Sequence, residues 1–279
     1  MQPHPFDQAI HLEPHGPDVF AGHSGPGYWN MVGPFGGITA ATALNAVMRH
    51  PAALGEPVSL TVNFAHALAQ GPFSATARAL RTNRSTQHWT VELQQPDGAG
   101  AAQTVLTATV LMGVRRDTWG ASDVPMPPVP APELVPRLEG PAQIEWLNRY
   151  EARPLAGAIP RQWDGQPNQA GPDAASLSRL WMRDHPPRAL DFCSLTALAD
   201  FFFPRVFLRR ASRVPAGTVS MTVYFHADGA TLQSCGTGYL LGQARGQVFY
   251  KGFFDQSAVL WSQAGTPLVT SSQIVYYKE

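Results

Sequence analysis

The chain has 279 residues, 44% of them hydrophobic, and carries 20 Lys+Arg against 20 Asp+Glu, so its formal charge at pH 7 is zero. With only 14% charged residues it offers no broad electrostatic footprint for nucleic acid or an anionic membrane surface, and its apolar content excludes wholesale disorder. Nothing approaches the roughly 18 uncharged apolar residues of a membrane span, and the N-terminal MQPHPFDQ has no basic and apolar regions of a signal peptide, which predicts a cytoplasmic protein.

In chain order, short strands are predicted around Ile10 to Leu12 and Val19 to Ala21. Ile38 to Arg49 is rich in Ala, Leu and Met, lacks Pro and Gly, and is followed by His50-Pro51, so it reads as a helix opened by Gly36-Gly37. Val58, Leu60, Val62 and Phe64 alternate with polar residues, as do Trp89, Val91 and Leu93; Phe73 to Leu80 and Thr104 to Met112 complete a strand meander, with a turn at Pro96-Asp97-Gly98. The Pro-dense run VPMPPVPAPELVP, from Val124 to Pro136, can join neither a ladder nor a helix interior and predicts an extended linker. Beyond it come a strand at Ser176 to Arg183, a helix at Leu195 to Phe203, and strands at Thr218 to Phe225, Ser234 to Gly242, Val248 to Asp255 and Pro267 to Tyr277. Cys193 and Cys235 lack a partner motif and read as small buried hydrophobes.

The two halves share more than an outline. A shift of 161 positions sets Val58–Phe64 on Val219–Phe225 with five of seven residues identical, and adds Ala69/Ala230, Thr76/Thr237, Leu80/Leu241 and Arg84/Arg245. Nine identities over the 27 positions from 58 to 84, against roughly two by chance, indicate a diverged duplication. Each half therefore reads as one helix followed by an antiparallel meander, an α+β architecture in which two sheets can join edge to edge.

Gly27-Tyr28-Trp29 through Gly36-Gly37 and Ala40-Ala41, the run VSLTVNF, and Leu80-Arg81-Thr82-Asn83-Arg84-Ser85 resemble the double hotdog acyl-CoA thioesterases, the TesB-like or thioesterase II group. The resemblance covers nearly the whole chain. It implies a double hotdog, two repeated units each with a sheet wrapped around a central helix: an N-terminal hotdog over 1–118, a Pro-rich linker over 119–142 and a C-terminal hotdog over 143–279. It implies hydrolysis of an acyl-CoA to free acid and CoA, without metal or bound cofactor. Carried over by position, the family's catalytic Asp, Thr and Gln fall on Asp200, Thr218 and Gln273. The sequence departs from its relatives at Ala65-His66-Ala67, where a Leu-Arg-Pro run is common, and at Met221, where a His occurs.

Taken by itself, Asp200 is the one charge in the apolar run Leu195 to Phe203, so it is either a solvent-facing residue near the helix end or a buried base with a raised pKa. Thr218 and Gln273 alone read equally as an ordinary strand hydroxyl and an exposed amide. Together the three could activate a water, with backbone N–H groups at a helix N-terminus meeting the oxyanion. Gly36-Gly37 either lets a thioester approach the backbone or makes a tight turn. The repeat sets Thr39 opposite Asp200, which predicts one working site per chain. Arg84 and Arg245 read as repeat-related contacts for CoA phosphates or as solvated charges.

Other chemistries lack their motifs. Gly22-His23-Ser24-Gly25-Pro26 misses the nucleophile elbow at its last position, the nine His show no metal-ligand spacing, and there is neither a G-x-G-x-x-G nor a P-loop. The Asp-x-Asn-Pro-x-His type of motif of hotdog hydratases is also missing. A non-catalytic hotdog binding acyl-CoA or another apolar ligand is the alternative reading, and a dimer of double hotdogs is the expected assembly.

Overall fold

The computed structural model describes residues 3–138, 142–171 and 174–279. The first half comprises α1 (Pro5–Ala9), β1 (Leu12–Pro14), β2 (Val19–Ser24), α2 (Gly36–Met48), β3 (Glu56–Phe64), β4 (Gly71–Thr82), β5 (Thr86–Pro96) and β6 (Ala102–Gly113). The second half comprises β7 (Tyr150–Ala156), β8 (Ser178–Asp184), α3 (Phe192–Ala199), α4 (Arg205–Arg210), β9 (Ala216–Phe225), α5 (Gly229–Cys235), β10 (Leu240–Arg245), β11 (Phe249–Tyr250), β12 (Phe253–Ser262) and β13 (Pro267–Tyr277). All strands belong to one sheet in the order β1-β2-β4-β5-β6-β3-β9-β13-β12-β10-β8-β7, with β11 paired to β12. The order is a palindrome of two equivalent half-sheets joined at β3 and β9, which is the double hotdog.

The pseudo-twofold axis passes between Thr61 and Thr222, which face each other across the β3/β9 ladder with hydroxyls 3.0 Å apart. These residues are 161 positions apart, so the shift read from the sequence is the true symmetry of the central strands. Both halves also carry a bulge at the same place, skipping Val58 in β3 and Val219 in β9. Away from the axis the shift changes. Thr90 faces Arg78 while its counterpart Ser257 faces Arg245, so Arg78 and not Arg84 is the structural partner of Arg245. The ungapped repeat fails there because α5 occupies residues between β9 and β10 that have no equivalent in the first half.

Three further expectations are corrected. Ser234 to Gly242 is the end of α5, a turn and the start of β10. Val248 to Asp255 is a tight hairpin between β11 and β12, turning at Lys251 and Gly252 with φ of 47° and 82°. The second central helix starts earlier, at the Asp191 N-cap whose side chain accepts from Ser194 N–H, and ends at Ala199 with Asp200 as its C-cap.

Ten of the thirteen residues of α2 and all eight of α3 are buried, because the sheet wraps them on every side and neither needs a polar face. Their buried hydroxyls bond back along the helix: Thr42 donates to Ile38 O and Thr196 to Phe192 O. The Pro-rich segment is no free tether. Trp181 and Trp261 donate their indole N–H groups to Pro130 O and Val124 O, and Arg153 donates to Pro132 O and Val135 O. It thus packs on the outer face of the second half-sheet. Part of the predicted linker, residues 139–141, lies outside the described residues.

Candidate active site

The two central helices pack side by side and antiparallel, and the site forms where the N-terminus of α2 lies against the C-terminus of α3. Gly37 lies so close to α3 that a Cβ there would stand 2.7 Å from Ala197 O, and a Cβ on Gly36 would stand 2.9 Å from Asp200 Oδ2. What these glycines admit in the structure is the close approach of α3, which sets Asp200 against the start of α2. The helix cap at Phe35 supplies no side-chain acceptor, so the N–H groups of Gly36 and Gly37 find no partner on their own element. Asp200, only 9% exposed, fills that position from the other hotdog.

Its partners form a chain of hydrogen bonds. Gln273 Nε2 donates to Asp200 Oδ1 at 2.7 Å, and Thr218 Oγ1 donates to Gln273 Oε1 at 3.1 Å. The carboxylate, which when ionised only accepts, sets which way the Gln273 amide points: its N–H faces Asp200, and its carbonyl accepts from the Thr218 hydroxyl. Ser271 Oγ donates to Ala199 O, pinning the last residue of α3 to β13. Burial pushes the Asp200 carboxyl up to about 7, with the Gln273 amide and the Gly37 N–H acting against the rise. Such a carboxyl divides between acid and base near neutrality, as proton transfer at pH 7 requires.

The structure thus brings together Asp200, Thr218, Gln273, Gly36 and Gly37. Arg84 and Arg245 stay apart from it. Arg84 lies in the turn between β4 and β5, and Arg245, next to buried Ala244, is an exposed residue at the end of β10. Thr39 is not the counterpart of Asp200 either. It sits in the first turn of α2, whereas Asp200 follows the last turn of α3, because residues 49–55 link α2 to β3 but 200–215 link α3 to β9. The registers supply the true counterparts. Leu60 faces Val110 as Met221 faces Gln273, and Met112 faces Pro57 as Val275 faces Thr218. Gln273 and Thr218 are thus replaced by Val110 and Pro57 in the first half.

Gln256 was not singled out in the sequence. It stands directly opposite Gln273 in the β12/β13 ladder, 2% exposed, with Oε1 lacking a partner among the described residues. Its signal was an amide alternating with Phe254 and Ala258, legible only with β12 correctly placed.

Models of the acyl-CoA thioesterase N-terminal and C-terminal domains match residues 25–113 and 124–277, most of the chain. The chain belongs to this acyl-CoA thioesterase family, with its double hotdog fold. Among solved structures it is similar to a conserved protein of unknown function with a hotdog fold from Alicyclobacillus acidocaldarius, at 45% identity and a TM-score of 0.90 over 100% of this chain and 99% of that one. It is also similar in fold to a putative thioesterase II from Thermobifida fusca, at 20% identity and a TM-score of 0.80 over 99% and 98% of the two chains. The dehydratase domain of PpsC from Mycobacterium tuberculosis, determined with C12:1-CoA, shares the fold at 14% identity and a TM-score of 0.54 over 99% and 100%. The curated proteins searched contain no match. No helix among the described residues is long and apolar enough to cross a membrane.

Proposed function

We propose that the protein is an acyl-CoA thioester hydrolase whose single site per chain is built on Asp200, Gln273 and Thr218. The carrying observation is the Thr218–Gln273–Asp200 hydrogen-bond chain ending on a buried carboxyl at the open N-terminus of α2. Ionised Asp200 takes a proton from a water as its oxygen bonds to the thioester carbonyl carbon. The carbonyl oxygen becomes an oxyanion, met by the N–H group of Gly36 and the positive end of α2, while the Gly37 N–H holds Asp200. When the tetrahedral adduct collapses, the C–S bond breaks, and the proton held by Asp200 passes to the departing CoA sulfur. The products are a free acid and CoA. Gln273 touches the base directly, while Thr218 acts through Gln273 as a positioning residue.

The fatty-acid metabolism, cytoplasmic location and dimer of double hotdogs expected from the sequence belong to this same reading; light scattering should give twice the chain mass. Asp200→Asn is the direct test. It is isosteric and retains a partner for Gln273, so the fold should persist while CoA release, followed with a thiol reagent over a panel of acyl-CoAs, falls at least about 100-fold, the scale of a lost general base. Undiminished release would refute the assignment. Acyl-CoA binding without any turnover by the wild type would favour the non-catalytic hotdog.

A further inference from the structure

The connection from α3 to β9, residues 200–215, begins at Asp200 and runs into the strand that carries Thr218, so both of its ends belong to the candidate site. Its counterpart in the first half, residues 49–55, is seven residues long against sixteen. The difference is basic. Residues 201–217 hold four Arg and no Asp or Glu in a chain whose formal charge is zero, whereas 49–55 hold one Arg. Like charges so close together repel unless something anionic offsets them.

Two of the four Arg have structural duties. Arg205, fully buried, opens α4 and donates to Phe203 O and to Ser178 Oγ. Arg210 pairs with Glu279 at 2.8 Å. Arg209 and Arg213, by contrast, have no carboxylate partner among the described residues. Arg209 uses one N–H on Asn168 O, and a guanidinium has five. The Arg213 guanidinium lies 4.6 Å from the centre of the Trp163 ring, which packs edge-on against Phe207 of α4 at 5.7 Å. Lys278 is exposed beside them, its backbone N–H donating to Pro215 O.

Unpaired guanidinium groups beside an aromatic ring suit a phosphorylated purine nucleotide. Their forks bond phosphate oxygens in pairs, and a base stacks on an indole or on a guanidinium plane. A simple inorganic anion would leave the ring unused. The cluster also lies within reach of the reacting groups. Val206 of α4 packs with Phe254 and Val275, and Val275 faces Thr218 in the β9/β13 ladder. Arg213 precedes Thr218 by five residues, at most about 17 Å of extended chain. Thr218 is half-buried, bonded to buried Gln273 and preceded by exposed Gly217, so this chain arrives at an edge of the site that meets solvent.

We propose that Arg209 and Arg213, with Trp163 and Lys278, dock the 3′-phosphorylated ADP end of CoA, while the pantetheine arm reaches past Thr218 to the thioester at Asp200. The proposal takes its ligand from the thioesterase reading and adds the groups that would tell CoA from a shorter thiol carrier. Adenosine 3′,5′-bisphosphate, titrated calorimetrically, should bind at one per chain, and the double variant Arg209→Gln/Arg213→Gln should weaken it at least about tenfold, as lost charge-assisted bonds require. The ratio of kcat/KM for butyryl-CoA over S-butyrylpantetheine should be at least about 100 in wild type, because truncation discards remote binding energy. It should fall at least about tenfold in the double variant. A damaged fold lowers both rates together and leaves the ratio standing. Arg213 is exposed, so Arg213→Gln alone should still lower the ratio at least about threefold. No binding of the bisphosphate by wild type, a wild-type ratio within about threefold of unity, or a ratio that falls in Arg84→Gln and not in the double variant overturns the site. Hydrolysis undiminished in Asp200→Asn overturns the catalytic reading alone, because the bisphosphate titration does not pass through it.

Discussion

Asp200 has two consequences that can be read separately, because its folded carboxyl titrates near 7 and its unfolded one near 3.8. In the proposed mechanism the ionised form is the base, so kcat/KM should climb with pH and reach half its plateau near pH 7. A pH–rate profile flat from 5 to 9 would contradict that role. For stability the sign is the reverse of that for a salt-bridged carboxylate. Between pH 4 and 7 the folded state keeps a proton that the unfolded chain has released, so the contribution of Asp200 is intact below the unfolded value and is lost as pH rises through the folded one. Asp200→Asn should therefore melt above wild type at pH 8, with an advantage over wild type roughly 2–3 kcal/mol larger than at pH 5. Thermal melts at the two pH values measure this directly. Gln256 makes a contrasting case at the same scale. Its buried carbonyl has no partner among the described residues, so Gln256→Met, similar in volume and free of the orphan, should match or exceed wild type in Tm. A loss of several degrees would show that the amide is satisfied in solution.

At the scale of elements, the site depends on how closely two helices approach. Gly37→Ala would place a methyl 2.7 Å from Ala197 O and 2.6 Å from the Phe35 ring. Backbone cannot yield as a flexible side chain can, so α2 and α3 must separate, at a cost of about 1–3 kcal/mol. The same separation lifts Asp200 from the N–H groups of α2, so kcat should fall along with Tm; a variant with a normal melt and normal kcat would show that the contact is slack. How legible these elements were depends on whether their signals are local. The first helix could be read because its Ala-rich run stops at His50-Pro51. The second was placed too late in the chain because Phe201, Phe202 and Phe203 prolong its apolar run, while the structure ends it at the Asp200 cap. The β11/β12 turn gave no warning either, since Lys251 takes a positive φ that its side chain does not advertise.

For the whole molecule, duplication explains both what could be read and what could not. The central strands sit on the pseudo-twofold axis and have kept their shift of 161, so the repeat in VSLTVNF was visible and carried the fold with it. Asp200, Thr218 and Gln273 could be put forward through the family resemblance, whereas Gln256 depends on a strand register that no linear pattern encodes. Symmetry also decides the number of sites. A site in the first half would need polar groups where Pro57 and Val110 now stand, and a proline ring without an N–H and an isopropyl group can neither hold nor orient a carboxylate. On the proposed reading only one of the two equivalent positions carries the catalytic groups, and the asymmetric insertion of α5 falls in the half that supplies Asp200, Thr218 and Gln273. A non-hydrolysable thioether analogue of an acyl-CoA, titrated calorimetrically, should accordingly bind at one per chain. Asp200→Asn should leave no residual half-activity. Two equivalents bound, or a variant retaining about half of wild-type turnover, would mean that the first hotdog works with groups other than the counterparts of Thr218 and Gln273.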